Sequence, residues 1–256
     1  MKDLLQAVEE VARRAGGVAL RHFRQAIDVE WKADQSPVTV ADREAEAAAR
    51  ALIEEKFPRD GIVGEEHGTV RPDAPRRWII DPIDGTRSFV RAVPLWGTLI
   101  AVAEGNEVLA GCMGFPATDE WIAAARGEGA WYNGRRCRVS EVAELGRAAI
   151  LTTDERFPMA SEWRAPWREL GTRVELSRTW GDCYGYLMVA TGRAELMIDP
   201  VLADWDSASL LPIVEEAGGV FTDVRGRRTA FGRSGLATNA ALARQLRAAL
   251  GVGDTA

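Results

Sequence analysis

The stretch WIIDPIDGT, residues 78–86, is the part of the sequence that most strongly constrains the fold. Its apolar start predicts a short buried strand that ends at Asp81, and Asp84 follows shortly after it. Gly85 permits a tight turn. Thr86 is placed to cap a following helix, whose free N–H groups would face a bound phosphate. We therefore expect a strand end, a turn and a helix start around two closely spaced carboxylates.

The same stretch offers oxygen ligands to a hard cation. The carboxylates of Asp81 and Asp84 and the carbonyl of Ile83 between them are the donor types that Mg²⁺ prefers in proteins. The alternative is a surface turn that uses aspartate and glycine only for its geometry. On this stretch alone, both interpretations stay open.

Three more acidic residues can be either functional carboxylates or ordinary solvated or helix-capping residues. Glu65 lies in a Gly-Glu-Glu sequence before the aspartates, so a neighbouring strand can bring it beside them, although most such pairs are solvated. Asp206 begins one apolar helical pattern and Asp42 stands at the head of another, and each can be a helix N-cap and nothing more. The functional alternative for Asp42 is a carboxylate that orients a hydroxyl group or a water molecule.

The periodicity of apolar residues predicts a mixed chain. Helices are expected over about residues 3–24, 41–56, 184–191, 207–217 and 240–250. Strands are expected over about residues 29–32, 78–81, 98–103, 108–115, 121–125, 148–152 and 194–198. The strands between 97 and 131 are separated by short turns and predict an antiparallel meander. We therefore expect an α+β protein with two closely packed halves, residues 1–145 and 146–256.

Composition narrows the class of protein. The 256 residues carry a net charge of −6, which argues against nucleic acid or an anionic membrane as a partner. The three cysteines form no Cys-x-x-Cys pair, so a disulfide framework or a zinc site is not expected. The chain has no apolar stretch of signal-peptide or membrane-spanning length, and we expect a cytoplasmic protein.

Four motifs in order resemble the inositol monophosphatase family of metal-dependent, lithium-sensitive phosphatases. They are SPVTVAD at residues 36–42, GEE at 64–66, WIIDPIDGT at 78–86, and WD at 205–206 leading to EAGG at 216–219. The resemblance covers nearly the whole chain and implies a layered α/β/α/β/α sandwich. It also implies a homodimer that hydrolyses a small-molecule phosphate monoester.

The resemblance implies roles at the matching positions. Mg²⁺ would be bound by Glu65, Asp81, Asp84, Asp206 and the Ile83 carbonyl. The phosphate and the rest of the substrate would contact Asp84, Gly85, Thr86 and Asp206. The attacking water would be positioned by Thr86, supported by Asp42, and by Glu65 through the metal. Two or more ions can stabilise both the attacking and the leaving oxygen, so no serine, cysteine or histidine nucleophile is required.

Residues 178–186, RTWGDCYGY, depart from the Gly-Ser/Thr-Ala-Ala pattern that is usual in the family. They resemble the histidinol-phosphatase branch instead, as do residues 91–100 and 199–202. Histidinol phosphate carries an ammonium group and an imidazole, which carboxylates at Asp182 and Asp199 would pair with. This favours a histidinol-phosphatase of histidine biosynthesis.

Alternatives remain open at the substrate side. Asp182 can be a helix cap, and Arg178 can contact the substrate, contact a partner subunit or simply be an exposed basic residue. Trp96 and Trp180 can be walls of the pocket or core residues. The substrate can be inositol-1-phosphate or another sugar or nucleotide phosphate. A non-catalytic protein that kept the fold is disfavoured, because every acidic ligand is present.

Overall fold

The computed structural model describes residues 1–26, 28–31 and 37–253. Over these residues the helices are α1 (Lys2–His22), α2 (Val40–Lys56), α3 (Thr86–Phe89), α4 (Arg164–Gly171), α5 (Asp182–Ala190), α6 (Asp204–Ser207), α7 (Leu210–Glu216) and α8 (Ala243–Ala249). None of these described helices has the length and apolarity needed to cross a membrane. Two 3₁₀ turns lie at Leu145–Arg147 and Ser161–Trp163.

Each of the seven predicted strands has a counterpart among the described strands, which also include eight strands that were not predicted. The described strands are β1 (Val29–Trp31), β2 (Pro37–Thr39), β3 (Gly61–Gly64), β4 (Gly68–Val70), β5 (Arg76–Asp84), β6 (Gly97–Glu104), β7 (Glu107–Phe115), β8 (Glu120–Ala125), β9 (Gly129–Tyr132), β10 (Arg135–Arg136), β11 (Ala149–Thr152), β12 (Leu176–Arg178), β13 (Leu196–Asp199), β14 (Val220–Thr222) and β15 (Gly235–Thr238). Lys32, the predicted end of the first strand, and Ser36, the first residue of the SPVTVAD motif, lie outside the described residues, as do residues 254–256.

The larger sheet contains the predicted meander. Its eight strands lie in the order β10-β9-β8-β7-β6-β5-β3-β4, and all neighbours are antiparallel except β3 and β5. Short hairpins explain this order, because antiparallel strands need only a tight turn between them. At the β6–β7 turn, Gly105 adopts a left-handed φ of 57°, which glycine adopts without steric strain.

Helices cover both faces of this sheet. On one face, α1 and α2 bury their apolar sides in a cluster that includes Val11, Ala45, Ile80 and Val102. On the other face, α5 and α7 bury Leu187 and Ile213 in a second cluster with the neighbouring strand residue Ile79. Alternation along β5 therefore sends Ile79 and Ile80 to opposite helix layers.

The second sheet lies beyond α5 and α7. Its five strands have the order β12-β11-β13-β15-β14, and Met197 and Phe221 join the cluster of α5 and α7. Its other face packs Ile150 against Trp167 of α4 and Leu246 of α8. The succession of helices, sheet, helices, sheet and helices confirms the α/β/α/β/α sandwich.

The strand predicted to end at Asp81 extends to Asp84, so both aspartates belong to β5 and the predicted end is wrong. The pairing of β5 with β6 is irregular between these two residues and resumes where Asp84 faces Gly97. Pro82 explains the irregularity, because it lacks the N–H that a regular ladder needs. Its carbonyl accepts a hydrogen bond from the Thr98 hydroxyl at 2.8 Å, which holds the two strands together at this point.

The single helix predicted over 207–217 is two helices, α6 and α7, with a break at Ala208 and Ser209. Pro212 explains the break, because it cannot donate the helical hydrogen bond to the carbonyl four residues earlier. The break lies on Gly111 of β7, where an added Cβ would be 2.7 Å from the Ser209 carbonyl oxygen and 2.9 Å from its Cα. Gly111 thus lets the segment that carries α6 approach the sheet.

Replacing Gly111 with alanine tests this approach. We expect Gly111→Ala to lower the free energy of unfolding by about 1–3 kcal/mol, because the contact is with backbone atoms that cannot rotate away. Urea unfolding followed by circular dichroism measures the change. Gly17→Ala is the matched control, since no atom lies within 4 Å of the added Cβ and alanine favours a helix. An unchanged midpoint for Gly111→Ala would contradict the close approach.

Candidate metal centre

Three aspartates meet where β5 and α6 approach each other. One carboxylate oxygen from each of Asp81, Asp84 and Asp206 lies within 4.8 Å of the others. Asp81 is buried, and the other two are half-buried. Three carboxylates this close repel one another, and a bound cation would convert the repulsion into attraction. The group is therefore a candidate metal centre.

The electrostatics of Asp81 and Asp84 fit a cation. Burial raises the pKa of Asp81 well above its usual range, and the charges of Glu65, Asp84 and Asp206 raise it further. Burial also raises the pKa of Asp84, together with the charges of Asp182 and Asp206. Asp81 Oδ1 is buried and has no hydrogen-bond partner among the described residues. An all-carboxylate donor set with an unused buried oxygen suits a hard divalent ion.

Glu65 lies beside this group without joining its closest set of oxygens. It follows β3, and its N–H donates to the Ile80 carbonyl at 3.2 Å. Of the neighbouring charges, that of Glu65 raises the pKa of Asp81 most. In the described chain, the oxygens within 4.8 Å of one another belong to the three aspartates and not to Glu65. Its role as a metal ligand stays a prediction.

Thr86 and Asp42 are brought together as a pair. The Thr86 hydroxyl donates to the Ile83 carbonyl at 2.9 Å and lies 3.5 Å from Asp42 Oδ1. The sequence allowed Asp42 to be the N-cap of α2, but the structure shows that it is not. The N-cap is Thr39, whose N–H and hydroxyl both donate to Asp42 Oδ2, at 2.8 and 2.7 Å. This reciprocal capping box fixes the carboxylate, and burial raises its pKa to about 6.

Gly85 is the residue at the N-cap of α3, so the prediction that Thr86 caps this helix is wrong. Thr86 is instead the first helical residue. Gly85 has a left-handed φ of 82°, and a Cβ added there would lie 3.0 Å from Asp182 Oδ2 and 3.1 Å from the Leu95 carbonyl oxygen. Glycine is required here by both backbone conformation and space.

The start of α5 holds two more contacts of the site. The Cys183 N–H donates to Asp84 Oδ2 at 2.6 Å, and the Ser88 hydroxyl donates to Asp182 Oδ2 at 3.4 Å. Gly181 is the N-cap of α5 and no side chain caps it, so the capping interpretation of Asp182 is wrong. Burial raises the pKa of Asp182 to about 6. The Asp182 carboxylate lies close enough to Asp84 for its charge to raise the pKa of that residue.

A cavity of about 170 Å³ adjoins the metal centre. Its acidic lining residues are Asp84, Asp182, Asp199 and Asp206. Asp199 ends β13, and its Oδ1 accepts the N–H of Thr153 at 3.2 Å. Burial raises the pKa of Asp199 to about 7, and the Asp182 charge adds to the rise. Such a wall would favour a cationic group in the cavity.

The residues that line this cavity do not include Arg178, Trp96 or Trp180. Arg178 is exposed on β12, and its guanidinium donates to the Ser177 carbonyl at 2.8 Å. Its contact with a substrate or partner stays a prediction. Trp96 is fully buried against Phe23 and Phe89 on the α1 side, so of its two interpretations the structure supports the core residue. Trp180 is 39% exposed and does not line the cavity.

Sequence reasoning missed Thr153 and Cys183 as parts of the site. Thr153 directly follows β11, and its hydroxyl accepts the N–H of Asp182 at 2.8 Å. Thr153 could have been identified from the sequence, because it directly follows the strand predicted over residues 148–152. Cys183 contributes its backbone N–H, which has no side-chain signature in the sequence.

The chain is similar in sequence and in fold to known proteins. The model of the inositol monophosphatase family matches residues 1–251. A histidinol-phosphatase of Chlorobaculum parvum is 43% identical over 98% of this chain and 97% of its own, and one of Streptomyces coelicolor is 37% identical over 94% of each. The solved structure of an inositol monophosphatase from Zymomonas mobilis has a TM-score of 0.86 at 31% identity and covers 98% of both chains.

Asp206→Asn tests the metal centre. Asparagine can still accept the Ala203 N–H, which donates to Asp206 Oδ2 at 2.7 Å, but it removes one of the clustered charges. We expect Mg²⁺ affinity to fall at least about tenfold by calorimetry. We also expect the metal-free variant to melt at a higher temperature than the wild type, because repulsion is relieved. Exposed Asp204→Asn is the control and should change neither value. Loss of both affinity and stability would indicate misfolding instead.

Asp199→Asn tests the buried carboxylate through pH. The pKa of Asp199 is raised from 3.8 to about 7, so the folded state holds its proton more tightly than the unfolded state. The contribution of Asp199 to the free energy of unfolding is therefore fully present below pH 3.8. It is lost as the pH rises toward 7 and stays lost above 7. In EDTA, the variant should gain about 1–3 kcal/mol over the wild type between pH 5 and 7, with a plateau above. A pH-independent difference would contradict the shift.

Proposed function

The chain belongs to the inositol monophosphatase family, and on that premise we propose that it is a Mg²⁺-dependent phosphatase that hydrolyses histidinol phosphate. The observation that carries the proposal is the group formed by Asp81, Asp84 and Asp206. Two further carboxylates, Asp182 and Asp199, line the adjoining cavity and complement a cationic leaving group better than a neutral polyol. The 43% identical relative is a histidinol-phosphatase, which supports the same substrate.

The metal ligands we propose are those that the sequence indicated: Asp81, Asp84, Asp206, Glu65 and the Ile83 carbonyl. When bound, Mg²⁺ would polarise a phosphoryl oxygen and lower the pKa of a water molecule. The chain's contribution is to fix the donors. Asp84 is held by the Cys183 N–H and Asp206 by the Ala203 N–H, so neither carboxylate must reorganise to bind an ion.

Thr86 and Asp42 would orient the attacking water. Thr86 Oγ1 has two acceptors nearby, the Ile83 carbonyl and Asp42 Oδ1, so its proton is directed toward them. The Thr86 oxygen can then accept a hydrogen bond from water. The pKa of Asp42 is about 6, so this carboxylate is ionised at neutral pH and can strengthen the polarisation of the hydroxyl. Gly85, between Asp84 and Thr86 in the sequence, is proposed to contact the phosphate through its backbone.

A second candidate is an inositol-1-phosphatase, or a phosphatase of other sugar or nucleotide phosphates. The 31% identical relative from Zymomonas mobilis is an inositol monophosphatase, and its fold covers almost the whole chain. This similarity supports a phosphatase reaction and does not distinguish between the two substrates. A neutral polyol has no positive charge that could pair with the acidic residues of the cavity, whereas histidinol phosphate has an ammonium group. We therefore place histidinol phosphate first.

The remaining features of the proposal rest on the family and the composition. We propose a cytoplasmic homodimer that lithium inhibits and that acts in histidine biosynthesis. The three cysteines are free, which is common in a reducing compartment. The net charge of −6 gives no support for nucleic acid as a partner.

Phosphate release from histidinol phosphate and inositol-1-phosphate, measured side by side with Mg²⁺ and with EDTA, tests this function. We expect kcat/KM in Mg²⁺ to favour histidinol phosphate at least about tenfold, and EDTA to abolish both activities. A preference for inositol-1-phosphate would keep the metal centre and reject the substrate. Turnover that survives EDTA would reject the metal-dependent mechanism.

Asp182→Asn in the same assay separates the two substrates. Asparagine keeps an acceptor for the Ser88 hydroxyl but loses the charge that would pair with an ammonium group. At saturating Mg²⁺, kcat/KM for histidinol phosphate should fall about 10- to 100-fold, with inositol-1-phosphate little changed. Equal losses on both substrates would indicate that Asp182 holds the metal ligands in place and does not select the substrate.

A further inference from the structure

A second cavity, of about 360 Å³, opens beside the acidic one. Thr153, Asp199 and Val201 line both cavities, so the two adjoin at these residues. A ligand long enough to extend from the metal centre past Asp199 would reach the second cavity. We call the second cavity the outer groove.

The walls of the outer groove are mainly apolar. Phe157, Pro158 and Met159 form one side, and Pro200 and Val201 form the other. The Met159 side is open to solvent, because this residue is 81% exposed, and Val201 is 50% exposed. Covering these two side chains with an apolar group would be favourable, and neither has a structural task in the core.

The base of the groove is firmly held. Phe157 is buried and packs edge-on against Trp167 of α4, with ring centroids 6.0 Å apart. Its backbone has a left-handed φ of 42°, a conformation that a bulky residue adopts only where its surroundings hold it. The segment that presents Met159 is therefore anchored on one side by the core of the second half.

The charges at the groove distinguish it from the inner cavity. Asp154 lines the groove, but Arg156 pairs with it at 2.5 Å and neutralises it. Arg87 also lines the groove, and its guanidinium lies 5.9 Å from the centre of the Trp31 ring. A positive ring would be repelled by Arg87, whereas an uncharged flat ring would not. Cationic groups would prefer the inner cavity, between Asp182 and Asp199.

We propose that Met159 and Val201 bind the uncharged flat ring of the leaving group, while Asp182 and Asp199 bind an ammonium group between the ring and the phosphate. The order metal centre, carboxylates, apolar groove matches the order phosphate, ammonium, ring along such a molecule. The inference rests on the proposed function and assigns the residues that bind the ring of the leaving group. Met159 and Val201 are then residues that determine specificity.

The test compares two substrates that differ in the ring. Histidinol phosphate has phosphate, ammonium and ring, and 2-aminoethyl phosphate has only the first two. At pH 8 with Mg²⁺, the double variant Met159→Ser/Val201→Ser should raise KM for histidinol phosphate about tenfold with kcat within about twofold. Its kcat/KM for 2-aminoethyl phosphate should stay within about twofold of the wild type. Val70→Ser, at an exposed valine of the edge strand β4 outside the groove, is the control and should change neither.

The outcomes separate the groove from the proposed function. If the wild type hydrolyses histidinol phosphate and the double variant is unchanged, the groove assignment is wrong and the function stands. Equal losses on both substrates would also overturn it, because the two side chains would then support the site in general. If the wild type turns over only inositol-1-phosphate, both the proposed function and the ring site are rejected.

Discussion

The mutual repulsion of carboxylates gathered at one point is the constraint on which this structure depends. Asp81, Asp84 and Asp206 come within 4.8 Å of one another, with Glu65 and Asp182 close enough to raise the pKa values of the first two. Without a cation, burial and like charge both oppose their ionisation. The rest of the fold has to hold these groups in place against that repulsion. Five layers of helices and sheets supply a scaffold that is rigid enough to do so.

Backbone amides do much of the holding. Cys183, Ala203 and Thr153 each donate an N–H to a carboxylate of the site, which leaves the remaining oxygens for a ligand. Main-chain donors are fixed by secondary structure, so they position an anion more firmly than a flexible side chain can. Glycine has the complementary task at Gly85 and Gly111, where the absence of a side chain allows elements to approach each other closely.

The sequence predicts the chemistry of this site better than its local geometry. Spacing and residue type were enough to find the aspartates of β5, and the family resemblance implied the five-layer sandwich. Beyond Pro82, β5 stays beside β6 with the help of the Thr98 hydroxyl, a contact from another strand that no local sequence pattern encodes. The prediction that Thr86 caps α3 is wrong, and the capping alternatives left open for Asp42 and Asp182 are not observed, because each helix has a neighbouring residue as its N-cap. The N-cap of each of these helices is a residue close by in the sequence: Thr39, Gly85 or Gly181.

The hydrogen bond from the Cys183 N–H to Asp84 Oδ2 joins residues that are 99 positions apart. Asp84 leaves the ribosome early, with the first sheet, whereas its amide donor and Asp206 are made only in the last third of the chain. A nascent or C-terminally truncated polypeptide therefore carries the aspartate motif without a completed site. Such a fragment also exposes the sheet face that α5 and α7 would cover, which makes it prone to aggregate. The timing of synthesis thus keeps catalytic competence tied to completion of the whole sandwich.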